Sequence, residues 1–144
     1  MDRITINTGM AGFLLLKGIR AVSSEKIIAW TCFSDAPAFE IIEALAQTGA
    51  MHVRFLCEFD CHAFLLKINR FECFTTRPFS GEWQLQADLM IRTQSAFSYQ
   101  VTAAARGKAL CSAELSFAVK PYDQRFKQGD LKAHYRNMFE CLSP

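Results

Sequence analysis

The stretch Phe39–Phe55, FEIIEALAQTGAMHVRF, decides how this chain is read. Its length and apolar content suit a largely enclosed helix, yet Glu40, Glu43, Gln47 and Arg54 interrupt it. At about 100° per residue, Glu40, Glu43, Gln47, Met51 and Arg54 share roughly 80° of arc, whereas Thr48 and His52 fall outside it. Such a strip is either a narrow solvated edge or one wall of a site. Just upstream, Ser34 or Asp35 can cap a helix and Pro37 suits a first turn. The helix is therefore expected from about residue 37 to residue 55, closed by Glu58–Asp60.

Working outward, residues 13–22 and 26–33 read as two strands joined at Ser23–Glu25, both rich in Leu, Ile and aromatics. Beyond the helix the apolar period changes from helical to two. Trp83, Leu85, Ala87, Leu89 and Ile91 alternate with Gln84, Gln86 and Asp88. Phe97, Tyr99 and Val101 alternate with Ser98, Gln100 and Thr102, and Cys111, Ala113, Leu115, Phe117 and Val119 continue the pattern. Strict alternation implies half-buried antiparallel strands. Thr93–Ala96 and Arg106–Lys108 are the expected hairpin turns. Between Phe64 and Phe74 the apolar phase flips near Asn69–Arg70, which predicts a bulge in a long bent strand. The tail begins with Gly129 and a capping Asp130. Its stripe of Leu131, Tyr135, Met138 and Leu142 predicts an amphipathic helix docked on the sheet or on a second subunit.

Composition bounds the function. The chain has 144 residues, 51% of them hydrophobic and thirteen of them Phe, enough for a single domain with a real core. Its net charge of +2 and scattered basic residues give no nucleic-acid signature. The longest apolar run near the start, MAGFLLL, falls short of the roughly 18 residues of a membrane span and has no flanks of an export signal. A cytoplasmic protein with six reduced cysteines is expected. Cys32, Cys73 and Cys111 read as small buried hydrophobes. Cys57, Cys61 and His62 lack the spacing of a zinc site, so no metal is expected. The architecture implied is α+β: a curved antiparallel sheet wrapped around one long helix, with a second helix at the end.

The segment PAFEIIEALAQTGA resembles the central helix of the bacterial 3-hydroxyacyl-acyl-carrier-protein dehydratases of the hotdog fold. Pro37, Glu43, Ala44, Ala46 and Gln47 match in register; Ala38 stands for the family's Gly and Leu45 for its usual Met. Downstream, NRFECF is similar to the family's Arg-Phe strand through Arg70 and Phe71. SGEWQLQADL and RGKALCSAEL resemble its Gly-Asp turn and its final hairpin. The resemblance covers about Phe13 to Val119, a hotdog core within a single domain of residues 1–144, with residues 120–144 as a C-terminal extension.

The resemblance implies that Glu43 is the family's catalytic carboxylate and that Gln47, one turn on, orients it or the substrate. Phe33, Phe39 and Phe71 would line an acyl tunnel, with Pro37 and Ala38 at the helix start beside the thioester. Arg70 and Arg77 would meet the phosphates of a pantetheine arm or an acidic carrier surface. The substrates implied are acyl groups on acyl carrier protein or coenzyme A, with no cofactor beyond that phosphopantetheine. A homodimer or higher oligomer is implied, since the tunnels of such proteins form between subunits.

One family feature is missing. The catalytic His of the family lies in a His-Phe-Pro-Gly loop before the helix, and none of His52, His62 and His134 precedes this helix. Dehydration needs both a base and an acid. Three readings follow: a dehydratase-like enzyme with a replacement base, a thioesterase in which Glu43 activates water, or a non-catalytic acyl-binding subunit paired with a His-bearing hotdog paralogue.

Overall fold

A computed structural model describes residues 14–75, 78–122 and 128–144. In chain order the elements are β1 (Gly18–Val22), β2 (Lys26–Ala36), α1 (Ala38–Leu56), β3 (Cys61–Cys73), β4 (Phe79–Arg92), β5 (Ala96–Ala105), β6 (Lys108–Pro121) and α2 (Gln128–Leu142). The strands form one antiparallel sheet in the order β1-β2-β4-β5-β6-β3. Helix α1 packs against β2, β3, β4, β5 and β6, so the sheet curves around it as expected.

The core is the space between α1 and the inner sheet face. Ile41, Ala44, Leu45 and Val53 of α1 are fully buried there, against Leu85, Val101, Cys111 and Leu115. Burial of each large aliphatic side chain stabilises by about 1.5–3 kcal/mol, which is what holds a helix with so polar a strip. Gly49 brings α1 close to the sheet: a Cβ there would lie 2.7 Å from the Phe117 ring.

The alternation read from the sequence appears in β4, β5 and β6, and β2 alternates as well. It fails at the end of β4, where the pairing with β5 slips between Leu89 and Ile91. The slip turns Ile91 outward, 62% exposed, instead of inward. In β2 the odd positions point in, so Cys32 lies on the outer face and is exposed rather than buried. The bulge expected near Asn69–Arg70 is present: the β3–β6 register shifts between Asn69 and Glu72, and Arg70 takes φ +51°. Arg106 (φ +54°) and Gly107 (φ +74°) make the β5–β6 turn a type I′ hairpin.

Three boundaries differ from expectation. Residues 14–17 are not strand, and Phe13 lies outside the described residues. The main chain of Leu15 is satisfied by side chains instead of a ladder: its N–H donates to Gln47 Oε1 (2.8 Å) and its C=O accepts from the Thr31 hydroxyl. At the start of α1 neither Ser34 nor Asp35 is the cap. Strand β2 runs on to Ala36, Asp35 is held by Ser80 through two hydrogen bonds of 3.0 and 3.1 Å, and the N-cap is Pro37 with no side-chain cap. Asp130 likewise stands inside the first turn of α2 rather than before it.

Glu58 and Phe59 close α1 in left-handed conformations, with the Phe59 N–H bonded to the Arg54 carbonyl at 2.7 Å. Helix α2 docks here. Phe139 stacks on Phe55 and meets Phe59 edge-on, both with ring centres 5.4 Å apart, and Lys132 pairs with Asp60 at 3.2 Å. Leu131 and Leu142 of its stripe are buried. Among the described residues no helix is long and apolar enough to cross a membrane.

Candidate functional site

The polar strip of α1 divides into two regions with different surroundings. Met51 is 2% exposed and belongs to the core, and the Arg54 guanidinium lies 4.0 Å over the Tyr135 ring beneath α2. The polar strip is therefore open only as far as Gln47, because the core takes Met51 and the C-terminal helix covers Arg54. What remains open is the N-terminal half: Glu40, Glu43 and Gln47, all half-buried.

Here the side chains form a relay. Gln47 Oε1 accepts from the Leu15 N–H at 2.8 Å, which fixes the amide so that its Nε2 donates to Glu43 Oε1 at 3.3 Å. Glu43 and Gln47 meet because they are four residues apart on one helix. The fixing partner, Leu15, is 32 residues away in sequence from Gln47. Leu15 also lines a cleft of about 250 Å³ between residues 14–17 and Thr31–Ser34, with Lys17 on its wall and Glu40 at its rim. The cleft adjoins the relay through Leu15 rather than enclosing Glu43.

The expected substrate-binding residues fall into two groups. Phe33, Pro37, Ala38 and Phe39 gather around the start of α1. Phe33 is buried against Trp83 (ring centres 5.8 Å apart), while Phe39 is 73% exposed. Pro37 and Ala38 are exposed. Arg70 and Phe71 lie instead on β3, at the edge of the sheet remote from β2. Arg70 is exposed and pairs with Glu114 at 3.4 Å, and Phe71 packs part-buried against the core. Within one chain, β4, β5 and β6 separate the two groups along the sheet. Arg77 lies outside the described residues.

All three histidines are engaged away from Glu43. His52 is fully buried, with Nδ1 2.7 Å from the Tyr99 hydroxyl and Nε2 2.7 Å from the Ser23 carbonyl. The carbonyl can only accept, so Nε2 carries the hydrogen and Nδ1 accepts from Tyr99. Burial pushes the His52 pKa down, only partly opposed by the bond to Ser23. His62 meets the Tyr122 ring at 4.6 Å and His134 the Tyr135 ring at 5.1 Å. Among the described residues no three His, Cys, Asp or Glu side chains are grouped to hold a metal. Cys61 is hydrogen-bonded to Cys57, and burial with that bond pushes its thiol up to about 12.

This is the hotdog fold, α+β, with the long helix enclosed by a curved antiparallel sheet. Solved structures that share it include a thioesterase from Haemophilus influenzae (TM-score 0.68, 13% identity, 87% of this chain and 92% of that one). A chain of the dehydratase heterocomplex ApeI:P from Xenorhabdus doucetiae matches with TM-score 0.66 and 18% identity over 80% of this chain and 87% of that one. A mutant thioesterase from Pseudomonas aeruginosa matches with TM-score 0.66 and 16% identity over 82% and 89%. No protein-family profile and no curated protein matches the sequence.

Proposed function

We propose that the protein is a dehydratase-like hotdog protein that handles acyl thioesters, carried on acyl carrier protein or coenzyme A, and that the reaction best suited to its site is hydrolysis. The observation that carries this reading is the hydrogen bond from Gln47 Nε2 to Glu43 Oε1. A carboxylate oriented as an acceptor, with its donor locked by the Leu15 N–H, is prepared to take a proton from water. Dehydration would need a second proton-transfer group beside it, and His52, His62 and His134 all have other partners.

The start of α1 supports the same reading. No side chain caps it, and with the Glu40 N–H taken by the Pro37 carbonyl at 3.0 Å the Ala38 and Phe39 amides are the donors for the oxyanion that forms when a thioester carbonyl is attacked. A second subunit would complete the site. Strand β3 is an edge strand, and Phe64, Leu65, Leu66 and Ile68 on it are 46%, 41%, 63% and 44% exposed. An apolar edge of this kind favours pairing with a second copy. Pairing there would carry Arg70 into the interface, where it could meet the phosphates of a pantetheine arm.

The test is product analysis by mass spectrometry on 3-hydroxyacyl and saturated acyl thioesters, with Glu43→Gln as control. Free acid that disappears in the control is expected; an enoyl thioester formed by loss of water would replace hydrolysis with dehydration.

One observation favours a second reading, a partner subunit: Glu43 has no histidine beside it. In that case the chain would be silent alone and would raise turnover when mixed with a His-bearing hotdog paralogue.

A further inference from the structure

Cys73 and Cys111 face each other across β3 and β6 in direct register, with their sulfurs 2.9 Å apart. The neighbouring Phe74 N–H donates to the Leu110 carbonyl at 2.8 Å. That bond makes Phe74 and Leu110 a hydrogen-bonded pair of the ladder, and Cys73 and Cys111 the adjoining non-hydrogen-bonded pair. In such pairs the Cα atoms approach to about 4.5 Å. Disulfides span Cα separations of about 4.4–6.8 Å, so the spacing of such a pair is compatible with a bond between its two sulfurs. Cys111 is fully buried and Cys73 is half-buried at the end of an edge strand. Cys73 is thus the more open of the two thiols, and it lies beyond the Phe64–Ile68 stretch proposed to meet a second copy.

We propose that Cys73 and Cys111 form a reversible intrachain disulfide by exchange with a low-molecular-weight disulfide of the glutathione type. In the first step the Cys73 thiolate attacks the reagent's S–S bond and releases one glutathione thiolate, leaving a mixed disulfide. In the second, Cys111 loses its proton, attacks Cys73 Sγ and releases the second glutathione thiolate. Two electrons pass from the protein thiols to the reagent, and the two protons end on two molecules of glutathione. Burial and the contact with Cys73 push the Cys111 thiol well above its ordinary value, which slows the second step. The link ties the last residue of β3 to β6 beyond the bulge at Arg70, next to Phe71.

The experiment treats the whole reduced protein with oxidised glutathione and digests it without reductant for peptide mass spectrometry. A peptide pair joining Cys73 to Cys111, lower in mass by about 2 Da than the two reduced peptides and separated by dithiothreitol, is expected. Closing a loop of this size should also raise the melting temperature by on the order of 10 °C. The Cys73→Ser variant should lose both effects; its reduced melting temperature shows that the fold survives. If Cys73 and Cys111 both remain alkylatable, or Cys73 stops at the glutathione adduct, the proposal is overturned.

Discussion

The side-chain amide of Gln47 bridges Leu15 and Glu43: it accepts from the Leu15 N–H at 2.8 Å and donates to Glu43 Oε1 at 3.3 Å. A main-chain group of the N-terminal segment thereby sets the orientation of the carboxylate on α1. Removing each member should have a separate signature. Glu43→Gln keeps shape and packing, so stability should change by no more than about 0.5 kcal/mol. Gln47→Ala leaves the Leu15 N–H without its acceptor and should cost about 1–3 kcal/mol, read as a lowered melting temperature. In activity the order should reverse, with Glu43→Gln losing more than Gln47→Ala.

His52 gives the fold a dependence on pH. Its folded pKa is depressed by burial, so in mildly acidic solution the unfolded chain binds a proton that the folded chain does not. Stability from this group is complete above the ordinary histidine value of about 6.5 and declines as pH falls from there toward the depressed folded value. Denaturant melts between neutral and mildly acidic pH should show this decline. His52→Ala should reduce it, leaving the share of His134, whose pKa burial also lowers, at a cost of roughly 2–4 kcal/mol for the cavity and for the groups of Tyr99 and Ser23 left unpaired.

Gly49 separates helix propensity from packing. Alanine should favour a helix interior by about 1 kcal/mol. Here the added methyl would sit 2.7–2.8 Å from two atoms of the buried Phe117 ring, and overpacking costs about 1–3 kcal/mol. The ring cannot retreat from a filled core, so Gly49→Ala should come out destabilising in a chemical melt.

The apolar edge of β3 predicts self-association. Leu66→Lys combined with Ile68→Glu places charges on exposed positions of the edge. Sedimentation velocity should show a dimer for the unaltered protein and a folded monomer for the variant. Equal sedimentation of the two would remove β3 as the interface.

Much of the fold was legible because it rests on short-range patterns. The helical period of residues 39–55, the alternation of β4 to β6, the phase flip that marks the bulge at Arg70 and the Arg106–Gly107 turn are all local signals. What the pattern missed depends on distant partners. Asp35 is taken from its capping role by Ser80, 45 residues on. Arg54 and Met51 leave the solvent strip because α2 and the core cover them. Of the site, Glu43 and Gln47 stood out through helix spacing and family resemblance. Leu15 and Thr31 could not: one contributes main-chain groups that every residue carries, and the other is a threonine in an ordinary strand. The nearness of Cys73 to Cys111 follows from strand register, which two cysteines 38 residues apart do not reveal by themselves.

The role proposed for Glu43 is that of the base in thioester hydrolysis. It is tested most directly by the rate of free-thiol release from acyl-coenzyme A and acyl-pantetheine thioesters, measured side by side for the unaltered protein and Glu43→Gln. Thiol and free acid in equal amounts are expected from the unaltered protein, and a rate lower by about 10²–10⁴-fold in the variant. Equal rates in both proteins, or loss of water from a 3-hydroxyacyl thioester with no thiol released, would contradict it.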